Sequence, residues 1–341
     1  MKSLLITGLA AVVLFTASQA QAQPVGELHR VTSDDTARLR NADHSTNLRI
    51  TVWYPAATDS TETPLLVGPP DQPLFDIGRV APDAPFATST SPHPVILLSH
   101  GFGGSARIMG WFGIAMARNG FIVIAVDHPG NNAIDKMTLA GAVLWWDRAD
   151  DLRIALQAMK NDPAVSPHLD ATRIAATGFS AGGFTALVLA GARVDRRHFQ
   201  QFCATHPTDG GCVPPREFPI ARQDVDRLFQ APEMQAEATH AGEDHSISGL
   251  RAVFVIAPAL VQALDPASLT TMRNPNQHHP RRCRYHGTPC DQRPGRGGSH
   301  SRRPIAKPSR SRALRFPRHL HRGRPSAVPV LRLSGSTGPD P

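Results

Sequence analysis

The apolar positions of this chain fall into short runs, and the period within each run predicts the elements. Leu48-Arg-Ile-Thr-Val-Trp-Tyr54 alternates apolar and polar, as a half-buried strand does, and Pro55 ends it. Val95-Ile-Leu-Leu98 and Phe121-Ile-Val-Ile-Ala-Val126 are continuous, the mark of strands covered on both faces. Arg173 to Thr177 and Arg251 to Ala257 read as two more buried strands. Ile108 to Arg118 predicts a helix that Asn119-Gly120 stops. Residues 146–161 set Leu152, Ala155, Leu156 and Met159 at helical spacing, with charges on the other face. Gly182 to Ala192 is small and apolar, which predicts a helix packed close to the sheet. Residues 56–92, rich in Pro, Thr, Asp and Ser, are expected as a long surface excursion. Strands alternating with helices argue a mostly parallel, doubly wound sheet with helices on each side. Residues 193–248 break the rhythm with a charged, Pro-containing insert, expected as a cap over a site, the alternative being a plain surface loop.

Charge divides the chain. The 341 residues carry a formal net charge of +8. Residues 273–341 hold 15 Arg, one Lys, two Asp and no Glu, a balance of +14, so residues 1–272 carry −6. Only eight residues of that C-terminal stretch are Leu, Ile, Val or Phe, too few for a core, and disorder is expected there. The organisation read from the sequence is therefore residues 1–22, residues 23–272 and residues 273–341.

The first of these has a targeting pattern. Lys2 precedes an apolar run from Leu4 to Ala17, and Ala20-Gln21-Ala22 supplies a small-x-small cleavage site. The run is short for a membrane span, so export with removal of the segment is expected, to the periplasm or outside the cell, without stable membrane insertion. Four cysteines suit an oxidising compartment. Cys203 and Cys212, nine positions apart in a polar stretch, are expected to form a local disulfide; Cys283 and Cys290 lie in the basic stretch. No pair of ligand-spaced residues accompanies them, so no metal site is expected.

Chemistry is concentrated at Gly178-Phe179-Ser180-Ala181-Gly182, a G-x-S-x-G between a predicted buried strand and a predicted apolar helix. A turn that sharp needs glycine at Gly178 and Gly182, and it lifts the Ser180 hydroxyl to the carboxyl edge of the sheet, over a helix N-terminus. Ser180 is the expected nucleophile. Acyl transfer builds negative charge on a carbonyl oxygen, which calls for two backbone N–H donors. Ala181, directly after the nucleophile, is one candidate. Phe102, in the Ser99-His-Gly-Phe-Gly-Gly104 loop after the strand at 95–98, is the other. Asp127-His128 is read as structural, and His240, His93 and His44 as solvated.

Four segments carry a family resemblance: Arg49-Ile-Thr-Val-Trp-Tyr-Pro55, Leu98-Ser-His-Gly-Phe-Gly-Gly104, Val126-Asp-His-Pro-Gly130 and Thr177-Gly-Phe-Ser-Ala-Gly-Gly-Phe-Thr-Ala-Leu187. In this order they resemble the predicted dienelactone hydrolases, a group similar to the platelet-activating-factor acetylhydrolases and bacterial polyester hydrolases. The resemblance covers about residues 45–270. It implies the α/β-hydrolase fold and hydrolysis of small-molecule or polymer esters by a Ser-His-Asp triad without a cofactor. Dienelactone hydrolases themselves use cysteine, so the serine at position 180 argues against their substrate.

The family order is Ser, then acid, then His. Past Met272 no strand is predicted to bring the last two. The codons of residues 273–289, read one base later, permit x-Ile-Pro-Ile-Ser-Ile-Ile-x-Gly-Asp-Ala-Asp-Thr-x-Ala-Pro-Pro, which resembles the acid-bearing strand and loop of this family. Phe316-Pro317-Arg318 permits Ser-His-Asp or Ser-His-Ala. A frameshift near residue 272, in the gene or its sequencing, is the favoured reading. The rivals are a functional Arg-rich tail for nucleic acid or anionic surfaces and a disordered extension without a role. Export gives nucleic acid little reason to be a partner, and none is expected.

Overall fold

The computed structural model describes residues 22–272. The targeting segment, Cys283, Cys290 and the basic stretch lie outside the described residues. In chain order the elements are β1 (Val25–Ser33), α1 (Ala37–Arg40), β2 (Asn47–Pro55), β3 (Thr63–Val67), β4 (Phe75–Pro82), β5 (His93–Ser99), α2 (Gly110–Arg118), β6 (Ile122–Asp127), α3 (Leu139–Val143), α4 (Asp147–Asn161), β7 (Leu169–Phe179), α5 (Ala181–Leu189), α6 (Arg196–Thr205), α7 (Arg222–Leu228), α8 (Pro232–His240), β8 (Leu250–Ile256) and α9 (Pro266–Thr271).

One sheet runs β3-β4-β1-β2-β6-β5-β7-β8. The strands β6, β5, β7 and β8 are parallel, and β2 is antiparallel to both β1 and β6. The path steps from β5 to β6, then crosses back over β5 to β7. The order therefore reverses at β5, and in such sheets the place for a ligand is at the carboxyl ends of the strands on either side of that reversal, here β5 and β7. This is the α/β-hydrolase fold expected from the sequence.

The continuous apolar runs are explained by two cores. On one face Val95, Leu97, Ile122, Ile124 and Val126 pack with Trp146, Leu152 and Phe184 of the α4–α5 side. On the other, Ile96, Leu98, Val123 and Ala125 pack with Trp53, Met109 and Ile114 of the α2 side. Alternate residues of one strand enter opposite cores, so no position is left for a polar residue.

Two expectations need correction, and one strand, β1, has no signal in the sequence. Residues 56–92 are not simply a surface excursion: β3 and β4 pair antiparallel there, and β4 joins β1 through Gly26–Ala81 and Glu27–Pro82. Pro64 and Gly78 read as loop signals, yet β3 is an edge strand, and edges tolerate proline. Strand β1 has no clear alternation because its Glu27 is buried, accepting a 2.7 Å hydrogen bond from Trp53 Nε1. Strand β8 is only half buried, since it is the last strand of the described sheet and one of its edges has no strand beside it.

The insert contains α6, α7 and α8, and a disulfide joins Cys203 to Cys212 with Cα atoms 5.3 Å apart. Phe199 of α6 meets Trp145 edge-on at 5.5 Å, and Trp145 meets Phe184 of α5 in the same way. Arg196 lies 4.0 Å above the Phe229 ring. These contacts seat the insert on the α4–α5 side.

The interior holds a buried charge network. Arg40 donates to both carboxylate oxygens of Asp151 at 3.0 and 2.8 Å and to Asp34 at 2.9 Å, and Asp147 Oδ2 lies 3.5 Å from its Nε. The Arg40 side chain is 1% exposed. Burial is expensive for each charge alone, so each depends on its partners. Arg40→Met should therefore lower stability by about 3–5 kcal/mol, because it strands Asp34 and Asp151; the shift of the urea-unfolding midpoint measures this.

The approach of α5 to the sheet is set by glycine. A Cβ on Gly182 would lie 2.0 Å from the Ser99 carbonyl oxygen, and one on Gly178 would lie 2.2 Å from the Gly182 oxygen. Both obstacles are backbone and cannot swing away. Gly182→Ala should abolish soluble folding or cause severe loss of stability. Gly120→Ala is the comparison: its φ is +87° but nothing lies within 4 Å, so the cost should be only the left-handed conformation, about 1–2 kcal/mol. Equal losses in the two variants would show that the close approach is not the constraint.

Candidate active site

Ser180 joins β7 directly to α5. Its φ and ψ are 54° and −116°, outside the regions a serine ordinarily adopts. Two backbone hydrogen bonds pin it there: Ser180 N donates to Ile256 O at 2.9 Å, and Ala259 N donates to Ser180 O at 3.0 Å. Pro258, on the segment that leaves β8, packs against Gly183. That segment contains two more non-glycine residues at positive φ, Ala257 at 44° and Leu260 at 56°. Unusual backbone thus collects around one residue, as it does at functional sites. The sequence reading had not placed Ala257–Leu260 beside Ser180.

Ser99 pairs with Gly178 in the β5–β7 register, so the loop after β5 lies alongside the elbow. Gly104 N bonds to Gly101 O at 3.1 Å and Gly103 N to Asn131 Oδ1 at 3.0 Å. Phe102 N and Ala181 N donate to no acceptor among the described residues. The Ser180 hydroxyl likewise has no hydrogen-bond partner among the described residues, and Ser180 is partly exposed. Two free N–H groups and one free hydroxyl therefore occupy adjoining carboxyl ends of β5 and β7, at the N-terminus of α5.

Arg148 ties these parts together and was missed in the sequence. It is 2% exposed. It donates to the His100 carbonyl, to Asn131 Oδ1 at 3.2 Å, to Ser99 Oγ at 3.3 Å and to Thr185 Oγ1 of α5 at 3.3 Å. Burial pulls its pKa down, and the nearby Asp151 opposes this. A signal for it existed: Arg148 precedes Leu152, Ala155 and Met159 on the apolar stripe of α4.

The structure also contains a Ser-His-Asp arrangement that does not involve Ser180. His128 Nδ1 donates to Asp151 Oδ2 at 2.7 Å, and His128 Nε2 accepts from Ser99 Oγ at 2.8 Å. The distances are those of a triad. All three groups are fully buried, so no substrate reaches Ser99. The network fixes the ends of β5 and β6 to α4. His100 is similarly locked, donating from Nδ1 to Gly101 O and accepting from His128 N. Burial drives both imidazoles well below their ordinary pKa, with Arg148 adding to it, so both stay neutral. Asp127 accepts from Ala106 N at 2.8 Å, and burial pushes its carboxyl up. None of these groups touches Ser180.

His44 and His93 bond to the carbonyls of Arg38 and Gly120, and His93 is partly buried. His240 is not simply solvated, as the sequence suggested. It joins His245 and Asp150, and the three could together hold a cation.

Residues 78–166 match the family model of platelet-activating factor acetylhydrolase, isoform II. Cutinase est2 of Thermobifida alba is 33% identical over 112 residues, which is 32% of this chain and 34% of that protein. Cutinase cut1 of Thermobifida fusca is 31% identical over 112 residues, 32% of each chain. The chain thus matches about a third of the length of these relatives. A ferulic acid esterase from Streptomyces cinnamoneus superposes with a TM-score of 0.40 at 24% identity, covering 70% of this chain and 75% of that one. The strand order is that of the α/β-hydrolase fold, and the matched segments are similar to the platelet-activating factor acetylhydrolases and to cutinases.

Proposed function

We propose that this chain is a serine hydrolase of carboxylic esters, working in the periplasm or outside the cell, with Ser180 as its nucleophile. One observation carries the reading: a serine hydroxyl on a positive-φ elbow, beside two backbone N–H groups, all three without a partner among the described residues. In the proposed reaction Ser180 Oγ attacks the ester carbonyl carbon and its proton passes to a base. The carbonyl oxygen becomes negative and is held by Ala181 N–H and Phe102 N–H, aided by the α5 N-terminus. The alkoxide leaves with a proton, and water then hydrolyses the acyl-enzyme. No step calls for a metal or organic cofactor. The substrate class is a small-molecule or polymer ester, consistent with relatives named cutinases. The sequence pattern of residues 1–22 and the Cys203–Cys212 disulfide support export. Among the described residues no helix is long and apolar enough to cross a membrane.

A second reading has its own observation. Among the described residues no histidine or carboxylate bonds to Ser180, as in a non-catalytic remnant or a surface-binding protein with a basic tail. The two readings meet in the proposal that a frameshift near codon 272 has cost this chain its acid and base.

Without a base, turnover of short p-nitrophenyl esters should fall by roughly 10⁴–10⁶ relative to a complete triad. The same gene with one base adjusted near codon 272 should give a soluble, active enzyme, and Ser180→Ala in that background should abolish its activity. The comparison requires both forms expressed and assayed side by side. Ordinary turnover by the unedited chain that disappears with Ser180→Ala would overturn the frameshift proposal.

A further inference from the structure

Away from Ser180, three side chains from two separate parts of the chain converge. Asp150 lies on α4, His240 ends α8 and His245 lies on the link to β8. His245 Nδ1 is 2.7 Å from Asp150 Oδ2, and His240 Nε2 is 3.1 Å from the same oxygen. The three inward atoms all lie within 4.8 Å of one another. The Asp150 and His245 side chains are 9% and 1% exposed, and His240 closes the cluster from the solvent side at 33%.

The outward atoms are as telling as the inward ones. Asp150 Oδ1 accepts from Arg153 Nε at 3.0 Å and Nη2 at 2.7 Å. His240 Nδ1 faces Glu243 Oε2 at 2.9 Å, and His245 Nε2 faces the His240 carbonyl at 3.0 Å. A carboxylate and a carbonyl can only accept, so both rings turn their N–H outward when neutral. Their inward nitrogens are then bare lone pairs, both aimed at a carboxylate oxygen. Three electron pairs facing one another repel unless a proton or a metal ion lies between them. A histidine that donates its far N–H to a carboxylate or a carbonyl is also the usual outer arrangement of a metal-bound imidazole.

We propose that Asp150, His240 and His245 form a binding site for a divalent transition-metal ion such as Zn²⁺, clamping the helical insert to α4. Two imidazoles and one carboxylate suit zinc, with water as a fourth ligand. Bond lengths of about 2.0–2.2 Å in a tetrahedron put ligand atoms about 3.4 Å apart. The cluster reaches that by opening slightly, and His240, on the exposed end of α8, is the member free to move. The sequence had given no hint of a metal, because Asp150 is 90 residues from His240.

The test uses the full-length oxidised chain, freed of metal with a chelator and titrated with Co²⁺. One equivalent should bind with the visible absorption of a tetrahedral site, Zn²⁺ should displace it, and the melting temperature should rise. His240→Ala, folded by circular dichroism, should lose that equivalent and its spectrum. Glu243→Gln should keep the site but weaken it about 10–100-fold, as loss of an outer partner does. Equal stoichiometry and spectra in wild type and His240→Ala would mean that other histidines bind the ion, and would overturn the proposal. So would the absence of any bound equivalent in wild type. If His240→Ala does not fold, Glu243→Gln decides, and unchanged affinity there overturns the proposal.

Discussion

Among the glycines of the described residues, the tightest approach is that of the first turn of α5 to the last residue of β5. A Cβ at Gly182 would stand 2.0 Å from the Ser99 carbonyl. Without that contact the two strand ends could not bring a serine hydroxyl and the Gly-rich loop to one place. Once α5 begins this near to the sheet, no residues are left for a relaxed turn. The bend falls on one residue, Ser180, and forces its φ positive. The strained elbow is thus a consequence of helix–strand packing. The free N–H of Ala181 follows as well, since the first N–H groups of a helix have no partner within it.

The loop facing the elbow is held from below by charge. Arg148 reaches the His100 carbonyl, Ser99, Asn131 and Thr185, and Asn131 in turn holds Gly103 N–H. Next to it, Arg40 and Asp151 orient His128, whose other nitrogen accepts a hydrogen bond from Ser99 Oγ. This second constellation shows why hydrogen-bond distances alone do not define a catalytic triad. Ser99, His128 and Asp151 have the spacing, but they are buried and neutralised by two arginines. Ser180 has the exposure and the neighbouring donors but no base among the described residues. Geometry and access are separate requirements, and here they fall on different serines.

Legibility followed the range of the interactions involved. Local signals read true: the continuous strands at 95–98 and 121–126, the helix after Gly182 and the elbow itself depend on neighbours in sequence. Strands β1 and β4 were illegible, because the bridge that joins them to each other closes over more than fifty residues and the buried Glu27 of β1 is satisfied at a distance. Glu27 looks like a solvated charge until Trp53 is found donating to it. Arg148 was hidden for the same reason, though its place on the apolar stripe of α4 was a readable anomaly. His240 looked solvated because Asp150, the partner that buries its inner nitrogen, lies on an element 90 residues earlier. What the one-dimensional pattern omits is chiefly the polar half of the interior, where each residue is explained only by a distant partner.

The placement of backbone strain narrows the choice between a working site and a scaffold remnant. Among the described residues five non-glycine residues have positive φ, and three of them, Ser180, Ala257 and Leu260, lie at the pair of hydrogen bonds between the elbow and the segment after β8. Each such residue costs of order 1–3 kcal/mol unless its surroundings impose it. A fold serving only as a scaffold gains nothing by concentrating that cost at the carboxyl edge of its central strands. Here Ser180 keeps a conformation that glycine would hold more cheaply, and it keeps a hydroxyl that glycine lacks. The packing of α5 imposes the strain, and under the proposed function the same strain presents that hydroxyl beside the N–H groups of Ala181 and Phe102.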